Sequence, residues 1–174
     1  MKFFSANIDS LRELYVNQLK SMLSAERQIT DALPKMIDKS TDTQLRQAFQ
    51  SHLQETEGHV QRLEQILSEA ADDTDDIKCK VLDSMVDEAE SMISDVHDDS
   101  VRDALLIAAG QRVEHFEMAS YGTLRNWAQI LGETGHAQML EQTLNEEKHA
   151  DQLLTQISDK VNPSAGTTGK VAAA

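Results

Sequence analysis

Glu55 and His59 stand four residues apart on the apolar stripe of what should be a long helix, and Glu147 and Asp151 repeat that spacing on another. Two further acids, Glu26 and Glu114, fall on the stripes of the two remaining long helical segments. Positions i and i+4 of a helix lie one turn apart on nearly the same face, so both side chains can reach one point in a core. Soluble chains almost never bury Glu, Asp or His without a partner. Carboxylate oxygen together with imidazole nitrogen suits iron and manganese. A helical bundle holds a pair of such ions with about six ligands spread over its helices. Glu26, Glu55, His59, Glu114, Glu147 and Asp151 meet that requirement and come from all four helices.

Other residues stand close to this pattern. Glu117 follows Glu114 at i+3 and is either an alternate ligand or a solvated acid. His52 precedes His59 by a heptad and can support the ligands from behind, and Tyr121 can hydrogen-bond near them or simply pack. On the last helix a competing phase, Glu146-x-x-His149, is open beside Glu147 and Asp151. The stripe Leu140, Leu144, Glu147, Asp151, Leu154 favours the latter pair. His115 points about 100° from Glu114 and reads as a core or interface histidine. His97 and His136 fall at predicted helix ends and read as surface residues. Cys79 reads as inert.

These residues need long helices to position them. Apolar spacing predicts helix A over about Ile8 to Lys39, with Pro34 kinking its last turns. Helix B runs to about Ala70, with Thr41 and Gln44 as a capping box. After the polar break at 72–76 comes a short helix, about Ile77 to Ser94. Helix C, capped by Ser100 and Asp103, runs to Leu131 and stops at Gly132. Helix D, from Thr134, runs to about Val161 and closes at Asn162-Pro163. Tight A–B and C–D connections make two antiparallel hairpins, and the long B–C link, holding the short helix, crosses the bundle. That is the ferritin-like four-helix topology, all-α. Each antiparallel hairpin brings its two acids to one level. The bundle domain is expected over 1–161, followed by a disordered tail over 162–174.

Composition agrees and narrows the function. The chain has 174 residues, enough for one domain with a real core. It carries 2 Pro and 7 Gly, favouring uninterrupted helices, and aromatics are only 4%, so aliphatic side chains must fill the interior. A net charge of -14 opposes binding to nucleic acid or an anionic membrane and favours cations as partners. One cysteine excludes an internal disulfide or a cysteine-based metal cluster. No apolar run reaches membrane-spanning length and no signal segment opens the chain, so a cytoplasmic location is expected.

The stretches SAERQITDALPKM, SHLQETEGHVQRLEQI, RDALLIAAGQRVEHFEMASYGTL and LEQTLNEEKHADQLL carry a further message. They resemble the YciF/YciE-type family of bacterial stress proteins, within the ferritin-like superfamily and near rubrerythrin in architecture. The resemblance spans roughly residues 8 to 160. It implies a homodimer of four-helix bundles with a short extra helix and a dinuclear metal site, probed by Glu26, Glu55, Glu114 and Glu147 with His59 and Asp151 in support. One departure stands out: Glu-x-x-His is absent from helix B, where Gly58 takes the histidine place and His59 follows.

The reading that results is a di-iron or di-manganese protein of the stress response, reacting with O2 or peroxide. Its rivals are a metal-binding module without turnover and a structural stress protein whose core acids pair with Arg or His, Arg62 and Arg112 lying near the stripe. A methionine-bearing face on the short helix (Met85 and Met92, with Val81 and Ala89) is expected to be exposed and to form a homodimer contact.

Overall fold

The computed structural model describes residues 8–167. Five helices follow in order: α1 (Leu11–Lys39), α2 (Thr43–Ala70), α3 (Lys80–Asp95), α4 (Asp99–Ile130) and α5 (Thr134–Ala165). The four long ones have 29, 28, 32 and 32 residues. At about 1.5 Å per residue each spans roughly 42 to 48 Å.

Local chemistry sets the helix ends. Ser10 caps α1 by accepting from the Glu13 amide. Asp42, one residue beyond the expected Thr41, caps α2 through the Gln44 and Leu45 amides. Asp98, rather than Ser100, caps α4 through the amides of Ser100 and Val101. In each case a carboxylate or hydroxyl satisfies amides that have no partner within the first turn. Gly132, at φ 81°, ends the α4 region as expected, in a conformation that side chains disfavour.

Tertiary contacts at the two ends fix the topology. Thr41 and Asp42, in the α1–α2 turn, meet Asp103 near the start of α4, while Lys160 near the end of α5 donates to Gln44. At the opposite end Arg12 pairs with Glu133, and His136 lies 3.3 Å from Glu69. So α2 and α4 run parallel, and each hairpin is antiparallel. The link from α2 returns along α1, where Ile77 donates to the Lys20 carbonyl and Cys79 to the Ser24 hydroxyl. α3 then packs on α4 and α1. This is the ferritin-like four-helix bundle that the sequence led us to expect.

The core is aliphatic, with Leu19, Leu23, Leu63, Ile66, Leu106 and Leu124 almost fully buried, and two tyrosines, Tyr15 and Tyr121, at 0% exposure. Gly110 lets α4 approach its neighbours: a Cβ there would sit 3.0 Å from Leu154 Cδ1.

α1 runs on through Pro34 to Lys39. Three expectations differ from the structure. α5 continues past Pro163 to Ala165, because proline forfeits only the bond to the carbonyl of exposed Asp159, which water can satisfy. The rest of the expected tail, 168–174, lies outside the described residues. His136 is buried at 4% exposure, its Nδ1 3.4 Å from the Tyr15 hydroxyl. Finally, α3 half-buries Met85 and Ala89 against a partly open cavity over α1, α2 and α4 and leaves Val81 and Met92 exposed.

Candidate metal centre in the bundle core

The heptad rhythm of α2 buries Leu45, Phe49, His52, Thr56, His59, Leu63 and Ile66. Steps alternating between four and three residues keep these side chains on one face. That face carries two imidazoles. Facing it, α4 buries Glu114 and Glu117, α1 buries Glu26 and α5 buries Glu147. None of these four acids is more than 3% exposed.

Two groupings result. His52, Glu114, Glu117 and Glu147 offer ligand atoms all within 4.8 Å of one another, and so do Glu26, His59 and Glu147. Glu147 belongs to both.

His59 is held in a specific way. Its Nε2–H donates to Glu146 Oε2 at 3.0 Å, and Glu146 is anchored in turn by Arg62 and, through Gln142 at 3.0 Å, along its own helix. The other nitrogen, Nδ1, then faces Glu147 Oε1 at 2.9 Å and Glu26 Oε2 at 3.5 Å, an ion pair as long as the imidazole is protonated. A carboxylate behind an imidazole fixes its tautomer and aims its lone pair, the usual arrangement behind a metal-ligating histidine. His52 is similar but looser: Nε2 lies 3.4 Å from Glu114 and Nδ1 lies 3.7 Å from Glu55. Tyr121 donates to Glu26 Oε1 and so fixes one of its oxygens.

The electrostatics are those of crowded acids in a dry place. Burial first, then Glu147 and Glu26, holds Glu117 well above the usual carboxylate range. Burial also pushes Glu114 up to about 8, against the pull of His52. Burial alone would depress both imidazoles. The carboxylates beside them outweigh it and raise His52 to about 9 and His59 to about 10.

The fit to a metal pair is tested by the buried oxygens without partners. Both oxygens of Glu117, both of Glu147, and one each of Glu26 and Glu114 make no hydrogen bond. Such groups cost free energy unless something satisfies them. Among the described residues no arginine or lysine joins the cluster: Arg62 is engaged by Glu146 and Arg112 lies 3.8 Å from Glu88. The donor set is oxygen-rich with two imidazoles, which suits iron or manganese.

Glu26, His59, Glu114, Glu117 and Glu147 are thus brought together. Glu55 is half-buried beside His52, outside both groupings. Asp151 sits on the flank of α5, accepting from Gln111 at 3.3 Å and lying 3.4 Å from exposed His115. His149 is exposed. His52 enters as a candidate ligand, and its signal was present in the heptad it forms with His59. The residue on the core face three before His59 is Thr56, not Glu55, so Thr56-x-x-His59 stands where ferritin-like bundles carry Glu-x-x-His. Glu147 is followed three residues on by Ala150, which is also buried.

Among the described residues, cavities reach the cluster from two sides. An apolar one of about 70 Å³ runs among α1, α2, α3 and α4 and ends on His52 and Glu114. A smaller, more polar one of about 60 Å³ lies between α2 and α5 and reaches the same two residues.

Known proteins bear on this arrangement. The family described as "Domain of unknown function (DUF892)" matches residues 10–165. Protein YciF of Escherichia coli K12 is 39% identical over 161 residues, covering 91% of this chain and 97% of that protein. The solved structure of the E. coli stress protein YciF superposes with a TM-score of 0.85 at 36% identity, covering 90% of this chain and 99% of that one. YcfI of Rhodopseudomonas palustris, named as a candidate structural protein, gives a TM-score of 0.84 at 38% identity, with coverage of 88% and 98%. Fold, helix order and sequence agree along nearly the whole length, and the chain is a member of the DUF892 family, a relative of YciF.

Proposed function

We propose that this protein binds two metal ions, iron or manganese, in its bundle core and serves in the stress response of the cytoplasm, reacting with O2 or peroxide. The observation that carries the reading is the set of buried carboxylate oxygens without partners, gathered around Glu147 and aimed at two imidazoles. Glu26, His59 and Glu147 would hold one ion, and His52, Glu114, Glu117 and Glu147 the other. Bound there, the pair supplies one-electron redox capacity toward O2 or peroxide. The protein's own part is positional. Glu146 aims His59, Tyr121 restrains Glu26, and the aliphatic layers above and below exclude bulk water.

A second reading, a structural stress protein without metal, is favoured by one observation. His59 lies 2.9 Å from Glu147 and His52 3.4 Å from Glu114, so the two imidazoles, when protonated, can offset the core acids with charge alone. Metal analysis separates the two. Protein purified without chelator and reconstituted with ferrous iron in the absence of air should hold more than one equivalent per chain. Less than a tenth of an equivalent would leave the structural reading standing.

A further inference from the structure

We infer that the groove between α2 and α5 is the port through which cations reach the buried cluster, with Glu55 as the residue that hands them inward to His52. The inference rests on the metal-binding reading and adds to it a route and a gate.

The groove opens on the surface between α2 and α5. Glu55, Glu141, Glu146 and His149 line it, with amide side chains between them, and no lysine or arginine belongs to its lining. Arg125 holds Glu141 and Arg62 holds Glu146. Among the described residues, Glu55 forms no ion pair with a lysine or arginine; its ion-pair partner is His52, at 3.7 Å, beyond hydrogen-bond distance. It is therefore the acid of the groove best able to take up a cation from solvent.

Glu55 and His149 line this groove and also the inner chamber behind it. His52 and Glu114 form the chamber's inner wall and belong to the cluster itself. Oxygen and nitrogen donors thus continue from solvent to core: Glu55 and His149, then His52 and Glu114, then Glu117 and Glu147. His52 is 7% exposed, and its Nδ1, turned toward Glu55, has no hydrogen-bond partner. A buried imidazole at the inner end of an acidic groove is placed to exchange its proton, released to solvent along the groove, for the cation that the groove collects.

The alternative approach, through the cavity beside α3, is walled by Ile29, Leu33, Met85, Val86 and Ile93. Its one further carboxylate, Glu90, is held by Lys35 at 2.6 Å, so a cation taking this path would shed water with no free carboxylate to replace it until it met Glu114, which is costly. That path suits an uncharged molecule and not an ion. The groove also sits on a chain of net charge -14, which draws cations toward it from solution.

The test follows cobalt(II) loading of the metal-free full-length protein by stopped-flow absorbance. Wild type, Glu55→Gln, Ser51→Lys and Glu57→Gln are compared at low and high salt. Ser51 is an exposed residue of the chamber wall, and Glu57 is exposed on the same helix outside the groove. Glu55→Gln should load at least tenfold more slowly at low salt, and Ser51→Lys should also be slowed, with the gap closing at high salt. Both should reach the wild-type equivalents and final spectrum. Glu57→Gln, which removes the same charge, should load as wild type does. If Glu55→Gln loads at the wild-type rate, the port is refuted while metal binding stands. If it loses equivalents at equilibrium, Glu55 is a resident ligand and the gate is refuted. Should wild type itself take up no cobalt, the metal-binding reading fails first and the port with it.

Discussion

At the scale of single residues, the organising fact is the position of Glu147 between two sets of ligands. Removing it should empty the centre, whereas removing His59 takes a neutral ligand from one side only. Glu147→Ala is expected to retain under a fifth of the wild-type metal, and His59→Ala about half, by elemental analysis after reconstitution. Equal losses in the two variants would deny Glu147 its bridging place. The same crowding sets a pH dependence in the metal-free protein. Unfolded, Glu114 and Glu117 release their protons near the ordinary 4.5, but folded they keep them, Glu114 to about 8. Rising pH above 4.5 therefore favours unfolding. His52 and His59, ordinary value 6.5, stay protonated in the fold to about 9 and about 10. Stability that they contribute below 6.5 is lost as pH climbs toward those values. Both effects have one sign, so the melting temperature without metal should fall between about pH 5 and 10. Bound metal requires deprotonated ligands and should oppose the fall. A metal-free melting curve that rises with pH would contradict the burial of these acids. Most of the cluster was legible as acids and a histidine on apolar stripes. Glu55 was read as a core residue because it lies four before His59. The stripe actually runs through His52, Thr56 and His59, and one residue along a helix is about 100° of rotation.

At the scale of elements, one carboxylate does for the α1–α2 turn what caps do for single helices. Asp103, 3% exposed on α4, accepts from the Thr41 amide at 2.8 Å, the Thr41 hydroxyl at 2.6 Å and the Asp42 amide at 2.8 Å. Asp103→Ala would leave these donors without their acceptor and detach the turn from the second hairpin. A cost of about 3 kcal/mol is expected, readable in urea denaturation, with Asp103→Asn recovering part of it. A loss under about 0.5 kcal/mol would mean that water replaces the carboxylate freely. In the sequence Asp103 sits three after Ser100 and reads as half of a local capping box. Its true partners lie some sixty residues earlier, and spacing along the chain carries no trace of them. The helices themselves were legible to within about three residues at most ends, since the apolar rhythm is long and rarely interrupted. The α3 face was not, because a short amphipathic helix does not declare which neighbour its methionines will meet.

At the scale of the whole molecule, we expect two copies to associate, an expectation drawn from the family resemblance, since Met85 and Ala89 are half-buried against the bundle. Sedimentation at micromolar concentration should give a dimer. A strict monomer, or a shell of a dozen or more subunits, would exclude it. Topology has a separate consequence. Each hairpin is local in sequence and packs chiefly on itself, α1 on α2 and α4 on α5. The ligands, by contrast, are divided between the hairpins: Glu26, His52 and His59 on the first, Glu114, Glu117 and Glu147 on the second. Neither hairpin alone has a complete set, so the proposed metal affinity would belong to their docking. Severed in the crossover after Asp75, the two fragments should behave as a metal-operated lock: helical but only weakly paired when mixed with chelator, and joined tightly when manganese is added. Titration calorimetry of one fragment into the other, with and without manganese, measures the difference directly. Equal affinity in both conditions would show that the halves recognise each other by their apolar faces alone.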